Sequence, residues 1–331
     1  MRSSRSFLLF VAFLVFGTVC YAQATTPAAT SAALPFELKL IGPNIWAAID
    51  NPKGDAGANS GFVVGDDGVL VIDTFENEAA AKALMTEIHR LTHLPVKFVV
   101  NTHYHLDHVA GNRVFAQEGA AVVAQHGVRT WIHTENLKFF GDKIKPEEKK
   151  LVENLWAPEV TYNEALSLYL GNRRIDVTFM DGHTGGDSVV NIPDAGVAFC
   201  GDLFWNKTLP NLIDANTTVW DVTLHNILAL PVQSRTASPP QNAVIFVPGH
   251  GDVGKPADVR DFQQYLSDLR TMVAKATQEG NSGDDLVNAV LPQLAAKYVS
   301  WNFYKYFSRS NILDMASEIQ GSKKVPVREK K

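Results

Sequence analysis

The segment Thr102-His103-Tyr104-His105-Leu106-Asp107-His108 constrains this chain more than any other. It follows the apolar run VKFVV and Asn101, which read as a buried strand. His103 and His105 lie two apart, so an extended chain turns both to one side. Asp107 and His108 come just after, where the chain must turn into a helix. Four ligand-type side chains therefore crowd one strand end. Such a cluster is costly to bury unpaired. Imidazoles with a carboxylate suit zinc or another borderline divalent metal.

Three further segments share this character. Gly182-His183-Thr184-Gly185-Gly186-Asp187 sits between two predicted strands, Cys200-Gly201-Asp202 ends a strand, and Pro248-Gly249-His250-Gly251 follows the strand AVIFV. Each sets a potential ligand at a strand end, and glycines let backbone approach closely. Five of the ten histidines fall in these segments. The others do not share the setting: His225 reads as structural on an amphipathic helix, and His89, His93, His126 and His133 as surface or loop residues.

The surrounding pattern alternates strands and helices. GFVVGDDGVLVIDTF predicts a hairpin around Gly65–Gly68. Residues 76–92 have helical periodicity with acids in the first turn. GNRVFAQEG predicts a short helix, and AAVVA, RRIDVTFM, SVVNI, GVAFC and AVIFVP predict strands. WDVTLHNILAL predicts an amphipathic helix. Residues 129–165 read as a polar, irregular insertion, and the chain from Pro256 onward as nearly all helical. Strand-rich runs with interspersed helices indicate a layered α/β fold. The 30 basic and 35 acidic residues leave a net charge of -5, which argues against a phosphate-neutralising nucleic-acid binder.

The N-terminus reads as a targeting segment. MRSSRS carries Arg2 and Arg5, and residues 7–19 are apolar throughout, short of the roughly 20 a membrane span needs. Cleavage is expected after Ala22, giving a signal peptide at 1–22 and a flexible segment at 23–35. Losing the two arginines takes the net charge from -5 to -7, and losing Cys20 leaves Cys200 alone. Cys20 as a lipid attachment site is disfavoured by Val19 before it. The mature protein is expected to be periplasmic or secreted, without stable membrane insertion.

HYHLDH, GHTGGD, CGD and PGHG, in that order, resemble the motifs of the metallo-β-lactamase fold superfamily over roughly residues 36–255. The resemblance implies an αββα sandwich with a metal site at one edge of two packed sheets, followed by a helical C-terminal appendage over 256–320 and a charged tail over 321–331. It implies one metal on His103, His105 and His183, a second on Asp107, His108 and His250, and Asp202 bridging them. Two zinc ions are expected, with iron or manganese as alternatives. A shared hydroxide then attacks the carbonyl carbon of a small-molecule substrate, and Asp107 orients it and relays its proton. Asp73, at the end of VLVID, resembles a residue of the family that braces the ligand loops.

Departures from the pattern bear on the substrate. One large group of β-lactamases has a cysteine where Asp202 stands. Cys200, two residues earlier, points the same way only if the strand stays regular past Gly201, and a bridging carboxylate is preferred. In another group a serine replaces that Asp while the other six ligands match. The site therefore leans toward esters, thioesters or lactones without excluding β-lactams. A mononuclear iron sulfur dioxygenase is disfavoured by the complete second set, and a non-catalytic metal-dependent binding protein by the intact ligands. Phe204, Trp205, Lys207 and Leu209 read equally as a pocket wall or as loop packing. Trp131, Phe139, Phe140 and Trp156 read as a lid or as loop anchors. Trp301, Phe303, Tyr304, Tyr306 and Phe307 read as packing the appendage on the body, with dimer formation as the lesser alternative.

Overall fold

Asn44 at φ 60° makes a tight turn between two strands, β1 (Phe36–Gly42) and β2 (Ile45–Asp50), that the sequence pattern does not announce. The computed structural model describes residues 33–51, 53–231 and 244–327. The expected signal peptide and most of the segment 23–35 lie outside the described residues. Within the unit Leu34–Lys331, the predicted hairpin forms β3 (Ser60–Val64) and β4 (Val69–Ile72). Helix α1 (Glu78–Leu91) follows, capped by Asn77, whose side chain accepts from the Ala80 N–H. Then come β5 (Val96–Asn101), the one-turn α2 (Leu106–Val109), α3 (Asn112–Gln117) and β6 (Ala121–Gln125).

The stretch 129–165, expected to be irregular, is ordered. It contains the end of α4 (His126–Trp131), a 3-10 segment (Glu135–Lys143), α5 (Pro146–Glu153), β7 (Val160–Tyr162) and the start of β8 (Ala165–Leu170). These pieces are short and largely exposed; in α5 only Val152 is buried. Elements this short, with apolar contacts such as Ile132, Leu137, Phe140, Val152 and Leu155 spread over several of them, leave no sustained periodicity to read.

The second half runs β9 (Arg173–Phe179), β10 (Ser188–Ile192), β11 (Val197–Trp205), α6 (Thr217–Leu228), β12 (Ile245–His250), α7 (Pro256–Gln278), α8 (Gly283–Tyr298) and α9 (Tyr304–Ile319). Strand β11 does not end at Cys-Gly-Asp as expected. It continues to Trp205, with its register against β12 broken on both sides of Gly201.

Seven strands form one sheet in the order β1 to β7, and five form the other in the order β12-β11-β10-β9-β8. The sheets bury a shared core, with Leu70, Ile72 and Val100 from one and Val177, Val190 and Phe199 from the other. Helices α1 and α3 cover the outside of the first sheet, and α6 to α9 cover the second. The result is the expected αββα sandwich with C-terminal helices. Those helices share one apolar core with β11 and β12 through Phe204, Phe246 and Phe262. Among the described residues no helix is long and apolar enough to cross a membrane.

Candidate metal centre

Strand β5 stops at Asn101, and His105 keeps an extended backbone before α2 begins. His103 and His105 thus leave the sheet extended, while Asp107 and His108 lie in the first turn of a helix. Partners arrive from the other sheet: His183 from the loop between β9 and β10, Asp202 from within β11, and His250 from the end of β12.

Two groups result. His103, His105, His183 and Asp202 each offer a ligand atom, all within 4.8 Å of one another, and so do Asp107, His108 and His250. Asp202 faces both. Its Oδ2 lies 3.1 Å from His183 Nε2 and 3.6 Å from His103 Nε2. Its Oδ1 lies 3.1 Å from His108 Nε2 and 3.6 Å from His250 Nε2. Asp107 Oδ2 stands 3.2 Å from His250 Nε2. The structure thus brings together all seven residues singled out as metal ligands.

Two glycines make this approach possible. Gly201 has φ +49°, and a Cβ there would lie 2.3 Å from Thr102 Oγ1; a Cβ on Gly249 would lie 1.9 Å from Asp202 Oδ1. The kink at Gly201 also decides between Cys200 and Asp202. Asp202 turns into the centre, while the Cys200 side chain is buried in the core beneath α6 and α7, where burial pushes its thiol pKa up.

His103 Nε2, His108 Nε2, His250 Nε2 and Asp202 Oδ1 are buried without a hydrogen bond. Each such group costs about 1–3 kcal/mol when left unsatisfied, so four converging on one spot indicate a cationic partner. The nitrogen and oxygen donors suit divalent metals. Without a cation the groups bias one another. Burial lowers the pKa of His108, but Asp202, Asp107 and Asp73 outweigh it and hold the imidazole well above its usual range. Burial, then the charge on His108, holds His103 well below. Burial opposes ionisation of Asp202, yet the surrounding histidines, His108 foremost, hold its carboxyl well below the usual range.

An outer layer orients these ligands. Asp73 Oδ2 lies 2.9 Å from His108 Nδ1 and accepts from the Thr102 hydroxyl, while its Oδ1 accepts from the Thr102 N–H. Asp73, read in the sequence as a brace, thus contacts both His108 and Thr102 beside the first ligand-bearing segment. Sequence reasoning missed Asp214. Its Oδ2 lies 3.1 Å from His105 Nε2 and accepts from the Tyr104 hydroxyl, and Lys138 donates to Oδ1. This leaves His105 Nδ1 facing His183 Nε2 at 3.0 Å. Asp214 stands 109 residues from His105 in an unremarkable loop, so no local signal marks it. Asn59 was missed as well; it donates to the carbonyls of Pro248 and Gly251 and holds the His250 loop.

A cavity of about 340 Å³ opens on the centre, with Asp107, Asp202 and His250 in its floor. Trp205 lines it and stacks on His250, centroids 4.0 Å apart. The other three residues offered for the pocket do not line it. Phe204 is fully buried against Phe262, and Lys207 pairs with Asp261 and lies over the Trp301 ring. Leu209 joins the same core as Phe204. Of the four lid aromatics, Phe139 and Phe140 line the cavity; Trp131 packs on Tyr104, and Trp156 on Arg113. Phe303 and Phe307 also line it, so the C-terminal aromatic cluster does more than pack the appendage. A neighbouring cavity of about 500 Å³ shares Gly57, Glu76, His250 and Phe303 with the first and adds Asp50 and Asp55. Burial, then Asp107 and Asp50, raises the Glu76 carboxyl above its usual range.

Residues 54–273 match the family model described as the metallo-beta-lactamase superfamily. The chain is 22% identical over 276 residues to a linear primary-alkylsulfatase from a Pseudomonas species, covering 71% of this chain and 50% of that protein. It is 28% identical over 192 residues to a hydroxyacylglutathione hydrolase from Rhodobacter capsulatus, covering 56% and 64% respectively. The chain thus spans between half and two thirds of the length of these curated relatives. A solved metallo-beta-lactamase from Pontibacter korlensis superposes with a TM-score of 0.56 at 22% identity, covering 70% of this chain and 99% of that one; this likeness concerns the fold.

Proposed function

The chain belongs to the metallo-beta-lactamase superfamily, and from that premise we propose that it is an exported, dinuclear zinc-dependent hydrolase of carbonyl substrates. Esters, thioesters and lactones lead, and β-lactams remain within its reach. One observation carries this reading: the Asp202 carboxylate turns Oδ2 to one ligand set and Oδ1 to the other. His103, His105 and His183 would hold one ion, Asp107, His108 and His250 the other, with Asp202 shared. Divalent cations held there supply Lewis acidity and make water acidic enough to ionise near neutral pH.

The chain's own residues do the rest. The Asp107 side chain is 29% exposed, the most open of the ligand carboxylates. It lies in the cavity floor, where it takes a proton from the attacking water and returns it to the leaving atom. Trp205 covers one face of His250 and excludes solvent from that side. Asp73 and Asp214 hold the histidines in one orientation, so little rearrangement is needed on the way to the transition state. Export is supported by Arg2, Arg5 and the apolar residues 7–19.

A second reading, hydrolysis of a sulfate ester, is favoured by the similarity to an alkylsulfatase over 71% of the chain. Both are tested by metal analysis of the purified protein and a hydrolysis screen of a thioester, a lactone, a β-lactam and a linear alkyl sulfate. A His103→Ala, His105→Ala double variant serves as control. Carbonyl hydrolysis by the two-zinc protein, lost in the variant, supports the leading reading. Alkyl sulfate turnover alone transfers the case to the second. Activity in metal-free protein, or a single iron with oxygen uptake on a persulfide, sinks both.

A further inference from the structure

The cavity over the metal centre has an aromatic wall drawn from three distant parts of the chain. Phe139 and Phe140 come from the 3-10 segment, Trp205 from β11, and Phe303 and Phe307 from the start of α9. The rings close on the ligands: Phe139 lies 4.9 Å from His105, and Phe303 lies 5.8 Å from His250 and 6.3 Å from Trp205. Phe139 and Phe303, which line the same cavity, remain 37% and 36% exposed and add to its apolar surface.

Phe303 is also held against its backbone preference. Its φ is 58° and ψ 9°, a left-handed conformation that bulky residues rarely adopt. The surrounding structure enforces it. The Asn302 N–H donates to the Lys207 carbonyl and the Leu209 N–H to the Asn302 carbonyl, so the turn before α9 is strapped to the loop after β11. Such strain persists where the fold over-determines it, and at a cleft it points to use.

We propose that this wall selects substrates whose non-reacting part is an uncharged apolar group, with Phe303 as a specificity-determining residue. The inference rests on the hydrolase reading and names its substrate class. The group enters between Phe139 and Phe303 and lies over Trp205. An anionic tail finds no counter-charge there, because among the described residues no lysine or arginine lines either cavity while Asp50, Asp55, Glu76 and Asp107 do.

The test uses zinc-loaded protein and three hydroxamates with one chelating head: acetohydroxamate, phenylacetohydroxamate and the monohydroxamate of succinate. Calorimetric affinities need no knowledge of the bond that is cleaved. Burying the phenyl group should tighten binding over acetohydroxamate on the order of 30-fold. The succinate tail should bind no better than the methyl. Phe303→Ala should cut the phenyl preference about fivefold, as should Phe139→Ala on a separate element, while Tyr169→Ala, exposed on β8 and outside both cavities, should move it less than about twofold. Thermal melts check that each variant folds, and Phe139→Ala keeps the test alive if Phe303→Ala does not. A phenyl preference below about threefold, a succinate tail bound as tightly as the phenyl, or a preference untouched by both Phe variants overturns the proposal. If acetohydroxamate binds and the tails add nothing, the selection is wrong and the metal centre stands. If nothing binds and no zinc is retained, the hydrolase reading falls too.

Discussion

His103 and His183 lie in a closed corner, at most 1% exposed, with His105 beside them at 3% and touching the cavity; of Asp107, His108 and His250, His108 is fully buried, while Asp107, its side chain 29% exposed, and His250 line the cavity. The corner is braced by Thr102 and, through Asp214, by Tyr104 and Lys138. The open set is braced by Asp73 and, through its loop, by Asn59. Burial makes a site slow to exchange its ion and costly to leave empty; exposure lets substrate and water in. On the dinuclear reading proposed above, the closed corner is the set expected to retain its cation and the open one the set expected to share it with substrate.

Asp202 faces both sets, so its loss should have the largest effect. Asp202→Ala should lower kcat/KM on the order of 1000-fold or more and bring metal content below one ion per chain. A variant that kept two ions would dissolve the link between the halves. Removing metal comes next. With free metal about 1000-fold above its Kd, linkage amounts to about 4 kcal/mol, or roughly 8 °C in Tm for a chain of this size. Chelation should remove that increment, and the first equivalent of zinc should restore more than half of it. Equal steps for both equivalents would break the asymmetry.

The bracing carboxylates sharpen the comparison further. Asp214→Asn should weaken retention of the tighter ion, and Asp73→Asn that of the weaker, each about 10–100-fold in affinity or activity. Competition with a chromophoric chelator separates the two, and identical profiles would show that the sets act as one. The smallest effect is expected at Lys207. Its exposed pair with Asp261 lies away from both cavities, so Lys207→Ala should cost less than about 1 kcal/mol in denaturant melts. A large drop in kcat with stability intact would return Lys207 to the pocket.

Local chemistry explains which features were legible in sequence. The hairpin at Gly65–Gly68, α1 behind Asn77, the buried strand β5 and the strand-end histidines are all written in spacing and residue type. The pieces between 129 and 165 were not, because each buries too little to show a period. Phe204 and Trp205 are neighbours of the same class, yet one fills the core and the other lines the cavity. Nothing in their residue types separates them.

Sequence alone determined the layered α/β class, the four ligand-bearing segments and the residue types of a divalent metal site. Those follow from strand periodicity and donor chemistry, which act over a few residues. Tertiary structure decided that Asp202 rather than Cys200 enters the centre, because the kink at Gly201 breaks the alternation between them. It also decided that Asp214 braces His105 across 109 residues, and that Phe303 reaches the cavity from the far end of the chain. Contacts between distant segments depend on how the two sheets and the helices that cover them stack, and no local pattern encodes that distance.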